Sequence, residues 1–98
     1  MANKTKAESG SGEALAIVRG EHRDPFSYLG MHEGKGGLMV RTFQPAALRV
    51  WVLDAASGQQ VAELPLVREE GLFAGPVPRS GRFAYRLRLD TGAGRQDI

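Results

Sequence analysis

The sequence contains no cysteine. That removes disulfide staples, thiolate zinc sites and cysteine nucleophiles together. It has no apolar run near the ~20 residues that cross a bilayer as a helix. No apolar stretch follows the basic start at Lys4 and Lys6, so a secretion signal is not expected. A cytoplasmic location is expected, and a membrane partner is not. Length is also short. Ninety-eight residues make one domain, whereas a (β/α)₈ barrel needs roughly 250. Charge of one sign is lacking, because 13 Lys and Arg stand against 11 Asp and Glu. That balance does not require a polyanionic partner. Tryptophan occurs once, so any argument about ring stacking falls largely on Trp51.

Glycine is plentiful at 13 residues and proline adds 5, and these punctuate the chain. Residues 1–12 are small and polar and predict a disordered tail, leaving 13–98 as the domain. Residues 13–19 predict a short helix with Glu13 at its start, Arg19 at its end and Gly20 as the stop. Asp24-Pro25-Phe26-Ser27-Tyr28-Leu29-Gly30 predicts one helical turn, with the Asp24 carboxylate as N-cap and Pro25 in the first position. The glycines between Glu33 and Gly37 predict a hairpin tip. From residue 38 the apolar period becomes two. Leu38, Val40 and Thr42 alternate with Met39, Arg41 and Phe43. Leu48, Val50 and Val52 alternate with Arg49, Trp51 and Leu53. Phe83, Tyr85, Leu87 and Leu89 alternate with Ala84, Arg86, Arg88 and Asp90. Shorter strands are expected at 60–67 and 71–77. Turn signals recur about every ten residues. Together these predict an all-β fold, an antiparallel Ig-like β-sandwich with a short N-terminal helical segment. Val40, Val50, Val52, Phe83, Tyr85, Leu87 and Leu89 are the expected core.

Few residues offer chemistry. His22, Asp24 and His32 are the metal-like set, but their spacing suits hydrogen bonds that fix the Asp24–Gly30 turn better than a metal site. Gly34-Lys35-Gly36-Gly37 lacks the spacing of a phosphate loop and runs into a strand, not a helix. Arg41, Arg49, Arg86 and Arg88 lie on polar strand faces. Cross-strand partners such as Glu63 and Asp90 account for them more simply than nucleic acid does. Trp51 shares a face with Arg49. A sugar ring could stack there, although cover by the N-terminal helix or by a neighbouring domain is the stronger expectation. Glu63, Glu69, Glu70 and Asp90 form no pair at the short separation of glycoside chemistry. No catalytic residue, metal or cofactor is assigned.

His22-Arg23-Asp24-Pro25-Phe26-Ser27-Tyr28-Leu29-Gly30-Met31-His32 resembles the H-x-D-P-F-x-x-L-G-x-H element near the start of bacterial 1,4-α-glucan (glycogen) branching enzymes. Val40-Arg41-Thr42-Phe43-Gln44-Pro45-Ala46-Ala47 resembles their V-R-x-F-x-P-x-A strand and turn. Gly71-Leu72-Phe73-Ala74-Gly75 is similar to their G-L-F-x-G hairpin, and Tyr85-Arg86-Leu87-Arg88 to their Y-R-L-R strand. Four elements in order, across about residues 13–90, are more specific than any one alone.

The resemblance implies the N-terminal β-sandwich module of such an enzyme, ahead of a second sandwich and a catalytic barrel. That family forms α-1,6 branches on α-1,4 glucans through a covalent glycosyl-enzyme intermediate. Its aspartate nucleophile and glutamate acid lie in the barrel, and no position here matches them. The chain alone is therefore not expected to be an enzyme. It is expected to be a fragment, with a linker near Gln96–Ile98 and the downstream domains of the same polypeptide as partners. Trp51, Arg49 and Arg41 are the candidate contacts to an α-glucan, weak or indirect. His22, Asp24, Pro25, Phe26, Leu29, Gly30 and His32 are read as a structural motif. The alternative is a free-standing Ig-like protein-interaction domain without affinity for sugar.

Overall fold

The computed structural model describes residues 12–34 and 36–98, with the side chain of Phe26 outside the described set. The tail expected at 1–12 therefore lies outside the described residues except for Gly12, as does Lys35 of the glycine-rich loop. The elements are α1 (Gly12–Val18), a single 3₁₀ turn (Pro25–Ser27), β1 (Gly30–Gly34), β2 (Gly37–Phe43), β3 (Ala47–Asp54), β4 (Gln60–Leu64), β5 (Leu66–Arg68), β6 (Leu72–Val77), β7 (Tyr85–Thr91) and β8 (Gly94–Asp97). No helix among the described residues is long and apolar enough to cross a membrane.

The strands form two four-stranded antiparallel sheets, β1-β2-β6-β5 and β4-β3-β7-β8. We call them sheet A and sheet B. The period-two pattern explains their packing. Val40 opposes Gly75 and Thr42 opposes Phe73 in sheet A, while Val50 opposes both Leu64 and Leu89 in sheet B. Partners directly opposite share a face, so these inner faces close on one another. The enclosed cluster includes Leu38, Val40, Val50, Val52, Leu64 and Phe73. Val40, Val50 and Val52 have no exposed surface. This is the all-β sandwich that the alternation predicts.

Two contacts lock the strand ends. Gln44, in the β2–β3 turn, donates its N–H to the Gly71 carbonyl at 2.8 Å. Gly71 has φ +123°, and a Cβ placed there would lie 2.5 Å from Pro45 Cα and 2.8 Å from Pro45 N. Only glycine suits both that backbone and that approach. Pro65 carries the chain from β4 in sheet B to β5 in sheet A, and a Cβ at Gly75 would meet its Cδ at 2.7 Å.

The structure corrects several expectations. The Asp24 side chain makes no capping hydrogen bond, with φ −137° and ψ 77° at that residue. Its backbone acts instead, because its carbonyl accepts from Ser27 Oγ at 2.7 Å and its N–H donates to His22 Nδ1 at 3.0 Å. Leu48 does not join the core. The β3–β7 register shifts between Ala47 and Arg49, which breaks the alternation there, and Leu48 is 68% exposed. Phe83 precedes β7, and both it and Tyr85 are only half-buried against the core. The linker expected near 96–98 is strand. β8 pairs with β7 from Gly94 to Asp97 across the Gly92-Ala93 turn, and Ile98 continues the hydrogen bonding with Leu87.

Candidate functional site: the tryptophan face and the helical strap

Arg49 and Trp51 alternate with the core residues Val50 and Val52 and so lie on the outer face of sheet B. Trp51 lies opposite Glu63 on one side and Arg88 on the other. An outward tryptophan on an open sheet would be largely solvated, yet Trp51 is only 4% exposed. Arginines cover it. The Arg49 guanidinium carbon is 5.0 Å from the ring centroid and that of Arg95 is 5.2 Å away. Arginine can lay both its stem and its planar head on an aromatic face.

Carboxylates hold this layer in place. Arg49 donates through Nε and Nη2 to the two Glu63 oxygens at 2.9 and 2.8 Å. Arg88 donates in the same two-pronged way to Asp97 at 2.8 and 3.1 Å. Forked pairs of this kind fix orientation as well as distance. The hydrogen bonds from Arg49 hold the Glu63 carboxyl below its ordinary range, and those from Arg88 do the same to Asp97. In return Glu63 and Asp97 raise Arg49 and Arg88. The hydrogen bond from the Ala56 N–H, followed by that from Arg79, likewise lowers Asp54.

Of the three candidate glucan contacts, Trp51 and Arg49 come together and Arg41 does not join them. Arg41 is on sheet A, with its guanidinium carbon 4.5 Å from the Tyr28 ring centroid and Nη1 3.3 Å from the Tyr28 carbonyl. Sequence reasoning missed Arg95. It lies on β8, and only the β7–β8 register, which places it opposite Asp90, brings that strand beside the tryptophan face. Arg88 takes Asp97 as its partner, so the Asp90 pairing expected for the strand arginines is not the one formed there.

The motif residues gather elsewhere. α1 and the 3₁₀ turn lie across the outer face of sheet A, where Ala14, Ile17, Tyr28 and Leu72 form a second buried cluster flanked by Leu29 and Phe43. His22 ties this strap together. Its Nδ1 accepts from Asp24, so Nε2 carries the proton and donates to Glu13 at 3.2 Å. His32 Nε2 donates to the Leu29 carbonyl at 2.9 Å. Both histidines are thus engaged in hydrogen bonds. Among the described residues no group of three or more His, Asp or Glu side chains could hold a metal ion. Beside the strap is a cleft of about 190 Å³ lined by Ile17, Gly20, His22, Pro25, Leu29 and Phe43. Its one ionisable side chain, His22, already has both ring nitrogens in use.

Fold and surface define an all-β sandwich module with a helical strap on one sheet and an arginine-covered tryptophan on the other. The family described as "alpha-1,4-glucan branching enzyme GlgB, N-terminal domain" matches residues 11–98. The chain belongs to that family. It is 51% identical over 82 residues to the 1,4-alpha-glucan branching enzyme GlgB of Rubrobacter xylanophilus, which covers 84% of this chain and 11% of that protein. The GlgB of Cereibacter sphaeroides is 48% identical over 81 residues, with 82% and 11% covered. That of Paramagnetospirillum magneticum is 51% identical over 78 residues, with 80% and 10% covered. The chain thus spans about a tenth of the length of these relatives.

Proposed function

We propose that this chain is the accessory N-terminal module of a cytoplasmic 1,4-α-glucan branching enzyme, and that its main contribution is to stabilise that enzyme. Catalysis belongs to the remainder of the polypeptide. The observation that carries this reading is where the shared motifs spend their side chains. His22 and His32 brace the strap, Phe43 and Leu72 lie beneath it, Phe73 fills the core, and Gly71 fits against Pro45. Residues committed to internal packing and hydrogen bonds support a scaffold rather than a reaction centre. The test compares branching of amylose, and its loss on heating, for the full-length polypeptide with and without this module. The module should raise the inactivation temperature while adding no turnover when supplied as the isolated chain. Equal heat resistance with and without it would refute the scaffold role.

A second reading, direct contact with α-glucan, is favoured by Trp51 and Arg49 sharing one outward face. A sugar ring would have to displace Arg49 or Arg95 before it could stack. Binding would then be weak, with a dissociation constant on the order of millimolar at best. Saturable change of the Trp51 emission on adding maltoheptaose tests it.

A further inference from the structure

Sheet A ends in β1 and β5, and sheet B in β4 and β8. An edge strand can pair with another chain through the N–H and C=O groups on its free side. β8 is exposed at every residue, whereas the other three edges each bury or half-bury some of theirs. Ile98 exchanges both backbone hydrogen bonds with Leu87, at 2.8 and 3.4 Å. Antiparallel bonding alternates along a strand. Gln96 therefore faces β7 as Ile98 does, and the backbone groups of Arg95 and Asp97 face the free side. The Asp97 carbonyl also accepts from Arg86 Nη2 at 3.5 Å. The side chains of Arg95 and Asp97, two positions apart, share the outer face of sheet B. Asp97 lies opposite Arg88, and Arg95 lies opposite Asp90. β8 thus carries one charge of each sign on one face. The other edges do not: β4 has Glu63 alone, β5 has Arg68 alone, and β1 has Glu33 with His32 on the opposite face.

We propose that β8 is a self-association edge, on which a second copy of this chain pairs its own β8 antiparallel to the first about a two-fold axis at Gln96. Arg95 then lies opposite the partner's Asp97, and Asp97 opposite the partner's Arg95. Each of these pairs exchanges both backbone hydrogen bonds. A carbonyl has two lone pairs, so the Asp97 oxygen can accept without releasing Arg86. Charges on an edge strand ordinarily discourage pairing, but here their order makes them attract. Across the joined sheets the outer face reads Arg88, Asp97, the partner's Arg95, the partner's Asp90 and the partner's Arg49, with the sign alternating at each step. Opposite charges directly across a pair of strands attract, and like charges repel. Moving the axis by one residue sets Arg95 against the partner's Arg95, or Asp97 against the partner's Asp97. The charges therefore select both the occupant, a strand with the same two residues, and its register. Ile98, 48% exposed, meets the partner's Gly94, which has no side chain to crowd it. The two copies of sheet B become one continuous sheet with both tryptophan faces on the same side. The pairing involves β8 alone and does not depend on whether the polypeptide branches glucan.

Disulfide trapping tests the axis. On a two-fold axis Gln96 faces its own copy as a non-hydrogen-bonded pair, with Cα atoms about 4.5 Å apart, a separation that a disulfide spans. Ala93, in the exposed β7–β8 turn, would lie six residue steps from its copy, about 20 Å, and serves as the control. Gln96→Cys and Ala93→Cys are each made in the full-length polypeptide and oxidised with copper phenanthroline. The 98 residues contain no cysteine, and mass spectrometry of the linked peptides counts only links between the introduced residues. The 96–96 link should form roughly tenfold faster than the 93–93 link. It should slow roughly threefold or more between about 50 mM and about 1 M salt, which screens exposed charges, while the 93–93 rate stays the same. Equal rates at 96 and 93 would be random collision and overturn the proposal. Absence of a 96–96 link overturns it as well. A fast 96–96 link indifferent to salt overturns the charge-matched register. Trapping needs no turnover, so failure to branch amylose refutes the enzyme reading and leaves this one standing.

Discussion

Replacing Gly71 with alanine tests the contact that joins two chain reversals at one end of the sandwich. Two costs add. The backbone at φ +123° is one that residues with a Cβ rarely adopt, and holding such a conformation costs about 1–3 kcal/mol. The new Cβ would also lie 2.5 Å from Pro45 Cα. The obstacle is backbone, so the two turns must separate, at an overpacking cost of about 1–3 kcal/mol. Separation stretches the 2.8 Å bond from Gln44 to the Gly71 carbonyl, which contributes about 1 kcal/mol. The sum is about 3–7 kcal/mol, a large share of the roughly 5–15 kcal/mol that holds a domain of this size folded. Gly94 separates the two costs. It has φ +132° with nothing within 4 Å of an added Cβ, so Gly94→Ala carries the backbone cost alone. Urea unfolding followed by the emission of Trp51 gives both values. Gly71→Ala should exceed Gly94→Ala by at least ~1 kcal/mol. Equal losses would refute the close-approach argument, and a Gly71→Ala loss under ~1 kcal/mol would refute the whole account.

Val50→Ala should destabilise by about 1–3 kcal/mol in the same assay, because a fully buried side chain is truncated between two sheets. Asp24→Ala should cost less than about 0.5 kcal/mol, since no side-chain capping bond is lost. Stability should fall as the solution is acidified below about pH 4.5. Glu63, Asp54 and Asp97 have native pKa values lowered mainly by hydrogen bonds, so the unfolded chain binds more protons in that window. Their contribution is present above the unfolded pKa and is lost through the lowered native one. Asp97→Asn should flatten the melting-temperature profile between pH 5 and 2, and an unchanged profile would contradict the assignment. Arg95→Ala should shift the Trp51 emission to longer wavelength by uncovering the ring, and an unmoved spectrum would show that the arginine does not shield it.

Alternation made the two inner faces legible, because Val40, Val50, Val52, Leu87 and Leu89 repeat every second residue and close on one core. It failed where the period breaks or carries no contrast. The register shift beside Leu48 turns a core-parity residue outward. β8 reads Gly94-Arg95-Gln96-Asp97, four exposed residues with no apolar face to betray a strand. β1 was hidden for a related reason: only Met31 of its five residues is buried. Missing β8 also hid half of the tryptophan cover, since Arg95 reaches Trp51 only through that strand. The Asp24 carboxylate followed a sound capping preference, but the turn is closed by backbone groups and a histidine ring. Tertiary placement decided each of these points.

The order of strands within the sheets has a consequence for how the chain reaches this structure. β1–β2, β3–β4, β5–β6 and β7–β8 are neighbours in sequence, so each can close as a local hairpin. The two pairings that make sheets out of hairpins, β2 with β6 and β3 with β7, join residues 29 to 44 positions apart, from Phe43↔Leu72 to Ala47↔Thr91. Closing loops of that length loses chain entropy before any contact repays it. The Gln44–Ala46 turn links β2 to β3, and residues 78–84 link β6 to β7. Forming either distant pairing therefore shortens the loop that the other must close. Both sheets are then expected to be completed together, with the millisecond-to-second folding common to β-sandwiches.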